Sequence, residues 1–123
     1  MPDLNFSKDN RAYFPTKYHG EVSLSKGKWD EICQEPERFY YRDNAEKVPT
    51  TLVNPESVRH SKHGGSQFIY YKKFDTIKIG NKEVDASIKY WAVVIDSITK
   101  RICTVYPTLK PRKGKEYNHK DSQ

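Results

Sequence analysis

The sequence predicts an α+β domain in which N-terminal helices pack on a curved antiparallel sheet of four to five strands. Two observations set the class. A capping serine, an apolar trio at i, i+3, i+4 and helix-boundary prolines all fall in the first half. Runs rich in Tyr, Phe, Ile and Val, bounded by turn residues, fall in the second. The length of 123 residues sets the scale. A domain of about this size buries roughly two-thirds of its unfolded surface without metals or disulfides, so one core is expected.

Residues 1 to 20 are polar, rich in Asn, Lys and Tyr, and have no clear period, which suggests a partly ordered arm. "EVSLS" then alternates Val22 and Leu24 with polar neighbours, as a short strand does. Ser25 can cap a helix over residues 26 to 34, where Trp29, Ile32 and Cys33 share one face and Gly27 weakens the turn. Pro36 interrupts the chain, and a second, broken helical region follows. In it Pro49 suits a first turn, Leu52 and Val53 point inward, and Asn54-Pro55 closes the helix.

Beyond "KHGGS" come "QFIYYKKF", "TIKI", "EVDASI", "KYWAVVID" and "RICTVYP", each of strand character. Gly80-Asn81-Lys82 is a hairpin signal between the second and third of these, and "DSITK" can turn the last pair. "WAVVI" is apolar on both faces and is expected at the sheet centre. The chain thus divides into an arm over 1–20, one domain over 21–109 and a basic tail over 110–123.

Nine tyrosines, five phenylalanines and two tryptophans carry much apolar area on few side chains, so the chain is an aromatic folding domain rather than a disordered one. No run approaches the ~20 apolar residues of a membrane span, and the first residues lack a basic-then-apolar signal. The expectation is a cytoplasmic protein with no membrane partner. Cys33 and Cys103 belong to no CxxC or Cys/His cluster, so both read as buried thiols, with no metal and no cofactor. Charge is unevenly placed. Residues 1–61 hold nine Lys/Arg against ten Asp/Glu, whereas 62–123 hold thirteen against six. That gradient is either ordinary solubility charge or, combined with aromatics, the footprint of a polyanion binder.

The series "EVSLSKGKWDEI", "PE", "TTLVNPESVRHS", "FIYYKKF", "KYWAVVID" and "ICTVYPTLKPRKGKEY" resembles, over residues 21 to 117, the phage and prophage branch of the barnase, EndoU, colicin and RelE nuclease superfamily. Trp29, Ile32, Pro36, Glu37, Asn54, Pro55, Val58, Ser61, Tyr71, Lys72, Thr104, Tyr106 and Pro107 match its pattern. Glu31 and Glu35 stand where that pattern has histidines. The resemblance implies a barnase/RelE-like fold, a toxin-like or phage-associated role and metal-independent RNA cleavage by 2′-hydroxyl attack on the adjacent phosphate. An acidic inhibitor or antitoxin is the protein partner such an enzyme would have.

That chemistry needs an acid, a base and cations around a crowded phosphorane. His60 and His63 titrate near neutrality unless perturbed, although a histidine beside "KHGG" can equally be an exposed loop residue. Glu31 or Glu35 can serve as base where burial raises its pKa, and otherwise is a solvated helix-face charge. Arg59, Lys72 and Lys73 are candidate phosphate ligands. The two lysines point to opposite faces of a strand, and the family match selects Lys72.

Alternation places Ile102, Thr104 and Tyr106 on one face, with Arg101, Cys103 and Val105 on the other. Thr104 can donate to a phosphate oxygen, and Tyr106 can stack on a base or give a proton; the plainer alternative is a β-former beside an edge aromatic. Arg59, His60, Lys72, Thr104 and Tyr106 are therefore the catalytic candidates. His63, Tyr71, Lys73, Lys110, Arg112, Lys113 and Lys115 are the candidates for holding RNA. The tyrosines of "FYYR" and "IYYKK" can instead complete a core. A non-catalytic nucleic-acid-binding or phage accessory module, and a basic protein with an acidic partner, are the competing readings.

Overall fold

The structure, a computed structural model, describes residues 4–34, 40–61, 65–79, 82–85 and 90–111, with 79 and 83–85 described by backbone alone. The strands of the main sheet, in chain order, are β1 (Arg11–Pro15), β2 (Glu21–Ser25), β3 (Ser57–His60), β4 (Gln67–Lys73), β7 (Tyr90–Asp96) and β8 (Arg101–Thr108). They lie in the order β1-β2-β8-β7-β4-β3, and β5 (Thr76–Ile79) pairs with β6 (Lys82–Asp85) in a separate ribbon. Helices α1 (Lys26–Ile32) and α2 (Lys47–Val53) and a 3-10 turn at Arg42–Asn44 complete the α+β architecture. All main-sheet pairings are antiparallel except β2 with β8. Among the described residues, no helix is long and apolar enough to cross a membrane.

The expected sheet was too small, and residues 1–20 are not merely an arm. Residues 11–15 form β1, hydrogen-bonded along β2 from Arg11↔Ser25 to Pro15↔Glu21. Ala12 and Phe14 enter the core while Tyr13 points away, so two inward side chains suffice to seat a short edge strand. Pro15, which has no N–H to give a ladder, is tolerated at the end of such an edge. The β1–β2 turn needs Gly20 at φ +70°, a region open to glycine without steric penalty. Thr16 ties the turn together by donating its hydroxyl to the Gly20 carbonyl at 2.7 Å and accepting the His19 N–H at 2.8 Å. β3 is the other strand that the sequence pattern hid, because it has only Val58 buried.

The helices follow their local signals. Ser25 Oγ accepts the Lys28 N–H at 3.1 Å, satisfying one orphan donor of α1, and Trp29 and Ile32 are buried. In α2, Pro49 lies in the first turn, where its missing N–H costs nothing. Val48, Thr51 and Leu52 face the sheet, but Val53, expected inside, is 46% exposed. Asn44, buried in the 3-10 turn, donates to the Tyr40 and Lys78 carbonyls at 2.7 and 2.8 Å and accepts from Lys47 Nζ and the Lys78 N–H at 2.9 and 2.8 Å. It thereby fastens the β5–β6 ribbon to the helical layer.

β7 lies between β8 and β4, as its doubly apolar run requires. One face of the sheet carries Phe68, Tyr70, Trp91, Val93, Ile95, Ile102 and Val105 into the main core with Trp29, Ile32, Val48 and Leu52. Full burial of each such large apolar side chain is worth about 1.5–3 kcal/mol. The turn expected at "DSITK" forms, with Asp96 Oδ1 accepting the Ile98 and Thr99 N–H groups at 2.9 and 3.1 Å. The Gly80-Asn81 turn lies outside the described residues, although Ile79↔Lys82 pairing brackets it.

Candidate nucleic-acid interface

Strand register decides which candidate side chains can share a ligand, because neighbours paired across a sheet point the same way. Phe68 and Trp91 belong to the helix-side core and so fix the parity of β4 and β7. Pairing then gives one row of Arg59, Ile69, Val94 and Thr104 on the opposite face. The next rows on that face are Ser57, Tyr71, Ala92 and Tyr106, and then Lys73, Tyr90 and Thr108. Arg59, Tyr71, Lys73, Thr104 and Tyr106 thus share the face away from the helices.

His60 and Lys72 do not. His60 is paired with Phe68 and Lys72 with Trp91, which places both on the helix side. The selection of Lys72 over Lys73 and the inclusion of His60 in this site are corrected by the same period of two. The His60 ring lies 4.9 Å from Phe68, which also stacks with His19 at 4.3 Å. His19 Nδ1 is 2.6 Å from the Tyr70 hydroxyl, whose oxygen accepts the Tyr18 N–H at 3.2 Å. These histidines belong to an aromatic cluster at the core margin.

A bulge in β8 changes a second expectation. The register shifts between Val94 and Ile95, which pair with Thr104 and Ile102, leaving Cys103 as the extra residue. Ile102 therefore joins Val105 in the helix-side core, whereas Cys103 packs with Tyr106 against Ile69, Tyr71, Ala92 and Val94. Thr104 and Tyr106 remain together as expected, but Arg101 now shares their face through its pairing with Asp96. Strict alternation gave the reverse for Arg101 and Ile102.

Tyr71 is fully buried, so it forms the floor of this face and does not present itself as an RNA contact. Tyr90, Cys103 and Tyr106 are only partly buried above that floor. Lys73 and Lys110 are exposed. His63, Arg112, Lys113, Lys115 and Glu35 lie outside the described residues. Glu31, with a 70% exposed side chain 4.0 Å from Lys28 Nζ, is a solvated helix-face charge and not a base in a pocket.

The arrangement is spread out. Arg59 and Thr104 are three strand spacings apart, roughly 14 Å at about 4.8 Å per step. One phosphorus centre cannot touch both without long side-chain reach; successive groups along one strand can.

A second feature was missed because residues 1–20 read as an arm. On the β1, β2 and β8 end of the same face, a cleft of about 350 Å³ is lined by Arg11, Ser23, Ser25, Lys28, Asp96, Thr99, Arg101, Ile102 and Cys103. The alternation Arg11-Ala12-Tyr13-Phe14 was the available signal for it. Arg11 Nη1 donates to Ser23 Oγ at 3.2 Å, and Ser23 is paired with Arg101. Burial, with the charge of Asp96, pushes the Cys103 thiol up, which suits an inert thiol rather than a nucleophile. Neither cysteine is in a disulfide. Among the described residues, no group of three or more His, Cys, Asp or Glu is placed to hold a metal ion.

Comparison with protein-family models, with curated proteins and with solved structures finds no match for this chain.

Proposed function

We propose that this chain acts on RNA, engaging a single strand along the sheet face that carries Arg59, Lys73, Thr104 and Tyr106, as a metal-independent endoribonuclease of the barnase/RelE-like class. The observation that carries this reading is the register that gives one face two cations, a hydroxyl and a phenol. Helices confined to the other face support the barnase/RelE-like assignment, which leaves this face for the nucleic acid.

In the cleavage step the ribose 2′-oxygen attacks phosphorus, the P–O5′ bond breaks, and a 2′,3′-cyclic phosphate and a 5′-hydroxyl result. Thr104 donates to a non-bridging oxygen of the phosphorane, while Arg59 and Lys73, too far from Thr104 to share that phosphorus, hold neighbouring phosphates of the strand. Tyr106 gives its proton to the departing 5′-oxygen, while the 2′-hydroxyl proton passes to water and the phenolate is reprotonated by solvent.

A second reading has its own support. His60 lies on the opposite face, and the wide spacing of Arg59 and Thr104 suits different phosphates of one strand better than a single reacting centre. Those two facts favour a non-catalytic RNA-binding module on the same surface. An acidic inhibitor protein would compete for the same cations.

Total RNA incubated with the protein in EDTA separates these readings. Discrete fragments that disappear in Tyr106→Phe establish cleavage. Intact RNA with a salt-sensitive gel shift establishes binding alone, and the absence of both retires the RNA reading.

A further inference from the structure

The cleft between β1, β2 and β8 was not anticipated from the sequence and is not used in the step above. Three cationic side chains, Arg11, Lys28 and Arg101, line it with one carboxylate, Asp96. That carboxylate is committed elsewhere: Oδ1 accepts the Ile98 and Thr99 N–H groups, and Oδ2 accepts the Ser66 hydroxyl at 3.1 Å. Among the described residues, neither Arg11 nor Arg101 forms an ion pair within 4.0 Å. Arg11 reaches the Ser23 hydroxyl and Arg101 lines the same cleft one strand away, and two guanidinium groups in one cleft repel each other unless an anion lies between them.

We infer that this cleft seats a phosphate group of the RNA strand, held by Arg11 and Arg101 with Ser23 between them; the inference rests on the RNA reading above. Arginine presents a planar fork that matches phosphate oxygens in pairs, and a serine hydroxyl adds a donor at the centre. Ser25 contributes less, since its oxygen already accepts the Lys28 N–H.

The cleft is continuous with the proposed RNA face through Cys103, which lines the one and packs beneath the other. Tyr106 and Arg101 are five residues apart on β8, or roughly 16 Å at about 3.3 Å per residue. A strand whose reacting phosphate lies beside Tyr106 therefore reaches the cleft with another phosphate further along its own backbone. The cleft is a grip that fixes the register of the strand.

The test compares wild type with Arg11→Gln/Arg101→Gln, which leaves a shorter polar side chain with an amide donor at each position but removes both charges. The probe is a short 2′-O-methyl oligoribonucleotide, which cannot be cut, followed by fluorescence anisotropy over a salt series. The expected result is an affinity loss of at least tenfold in the double variant, with the log–log salt slope reduced by about 0.7 for each cation removed. Unchanged affinity and slope overturn the inference. If wild type does not bind the oligonucleotide, the RNA reading fails by itself, and amide shifts on titrating inorganic phosphate decide the cleft. Shifts clustered at Ser23, Arg101 and Cys103 that vanish in the double variant keep it as a phosphate site, and their absence removes it.

Discussion

The two faces of the central sheet are built from alternate residues of the same strands, yet they answer to different constraints. On the helix side Phe68, Tyr70, Trp91, Val93 and Ile95 meet Trp29, Ile32, Val48 and Leu52, and the layer is closed by side chains that fill one another's gaps. On the other side the apolar floor shrinks to Ile69, Tyr71, Ala92 and Val94, bordered by Arg59 and Lys73 at one margin and Arg11 and Arg101 at the other. The first face specifies the fold. The second sets charge around a small apolar floor, and it is the face on which the proposed ligand would lie.

The comparison breaks most severely if a core side chain is removed. Trp29, with no exposed surface, joins α1 to the main core. Trp29→Ala is expected to cost about 3–5 kcal/mol, since it loses the transfer energy and leaves a cavity. Denaturant unfolding measures this as a lower midpoint. A loss under about 1 kcal/mol would mean that α1 contributes little to the core.

Next in size is the polar fastening of the helical layer. Asn44→Ala removes the partner of the Lys78 N–H and the nearer of two acceptors of the buried Lys47 ammonium, which keeps Glu46 Oε1 at 3.4 Å, and it takes a donor from the Tyr40 and Lys78 carbonyls. Each buried group left unsatisfied costs about 1–3 kcal/mol, with relaxation and water recovering part, so a total near 2–3 kcal/mol is expected. Hydrogen exchange at the Lys78 amide should accelerate more than exchange in β7. Uniform acceleration would show that the β5–β6 ribbon does not depend on this residue.

A functional contrast sharpens the difference between the faces. Arg59→Ala and Lys73→Ala are each expected to weaken RNA binding about three- to tenfold, as loss of a phosphate contact does, without changing the unfolding midpoint. Lys72→Ala and His60→Ala, on the other face, should leave RNA affinity within twofold of wild type by the same anisotropy measurement. The reverse ranking would place the nucleic acid on the helix side.

Much of this division was legible in the sequence. Ser25, Trp29 and Ile32 announced α1, and the doubly apolar "WAVVI" announced the central strand, because both signals are local and repeat at the period of their element. β1 and β3 went unread: β1 offers only the short alternation Arg11-Ala12-Tyr13-Phe14 inside a polar stretch, and β3, with Val58 alone buried, offers none. The faces of Arg101 and Ile102 were misassigned because a bulge, invisible in a periodic pattern, reverses parity at Cys103. Lys72 against Lys73 was decidable from Phe68 and Tyr70 as inward residues, but both tyrosines of "IYYKK" are fully buried on opposite faces, so burial alone could not fix the phase.

The smallest expected effect concerns the turn at the edge of the cleft. N–H groups of Thr99 and Ile98, with the Ser66 hydroxyl, hold the Asp96 carboxyl below the usual carboxylate range. A folded-state pKa below the unfolded value of about 3.9 means that the unfolded chain binds the proton more readily. The stabilisation is therefore fully present above that unfolded value and is lost as pH falls through the lower folded one. Asp96→Asn keeps an oxygen for the N–H groups but cannot ionise, so the stability difference between wild type and variant should be constant near neutrality and shrink below about pH 4. Thermal unfolding of both proteins across that range reads it directly. A gap that persists unchanged into acid would show that the turn depends on the shape of residue 96 and not on its charge.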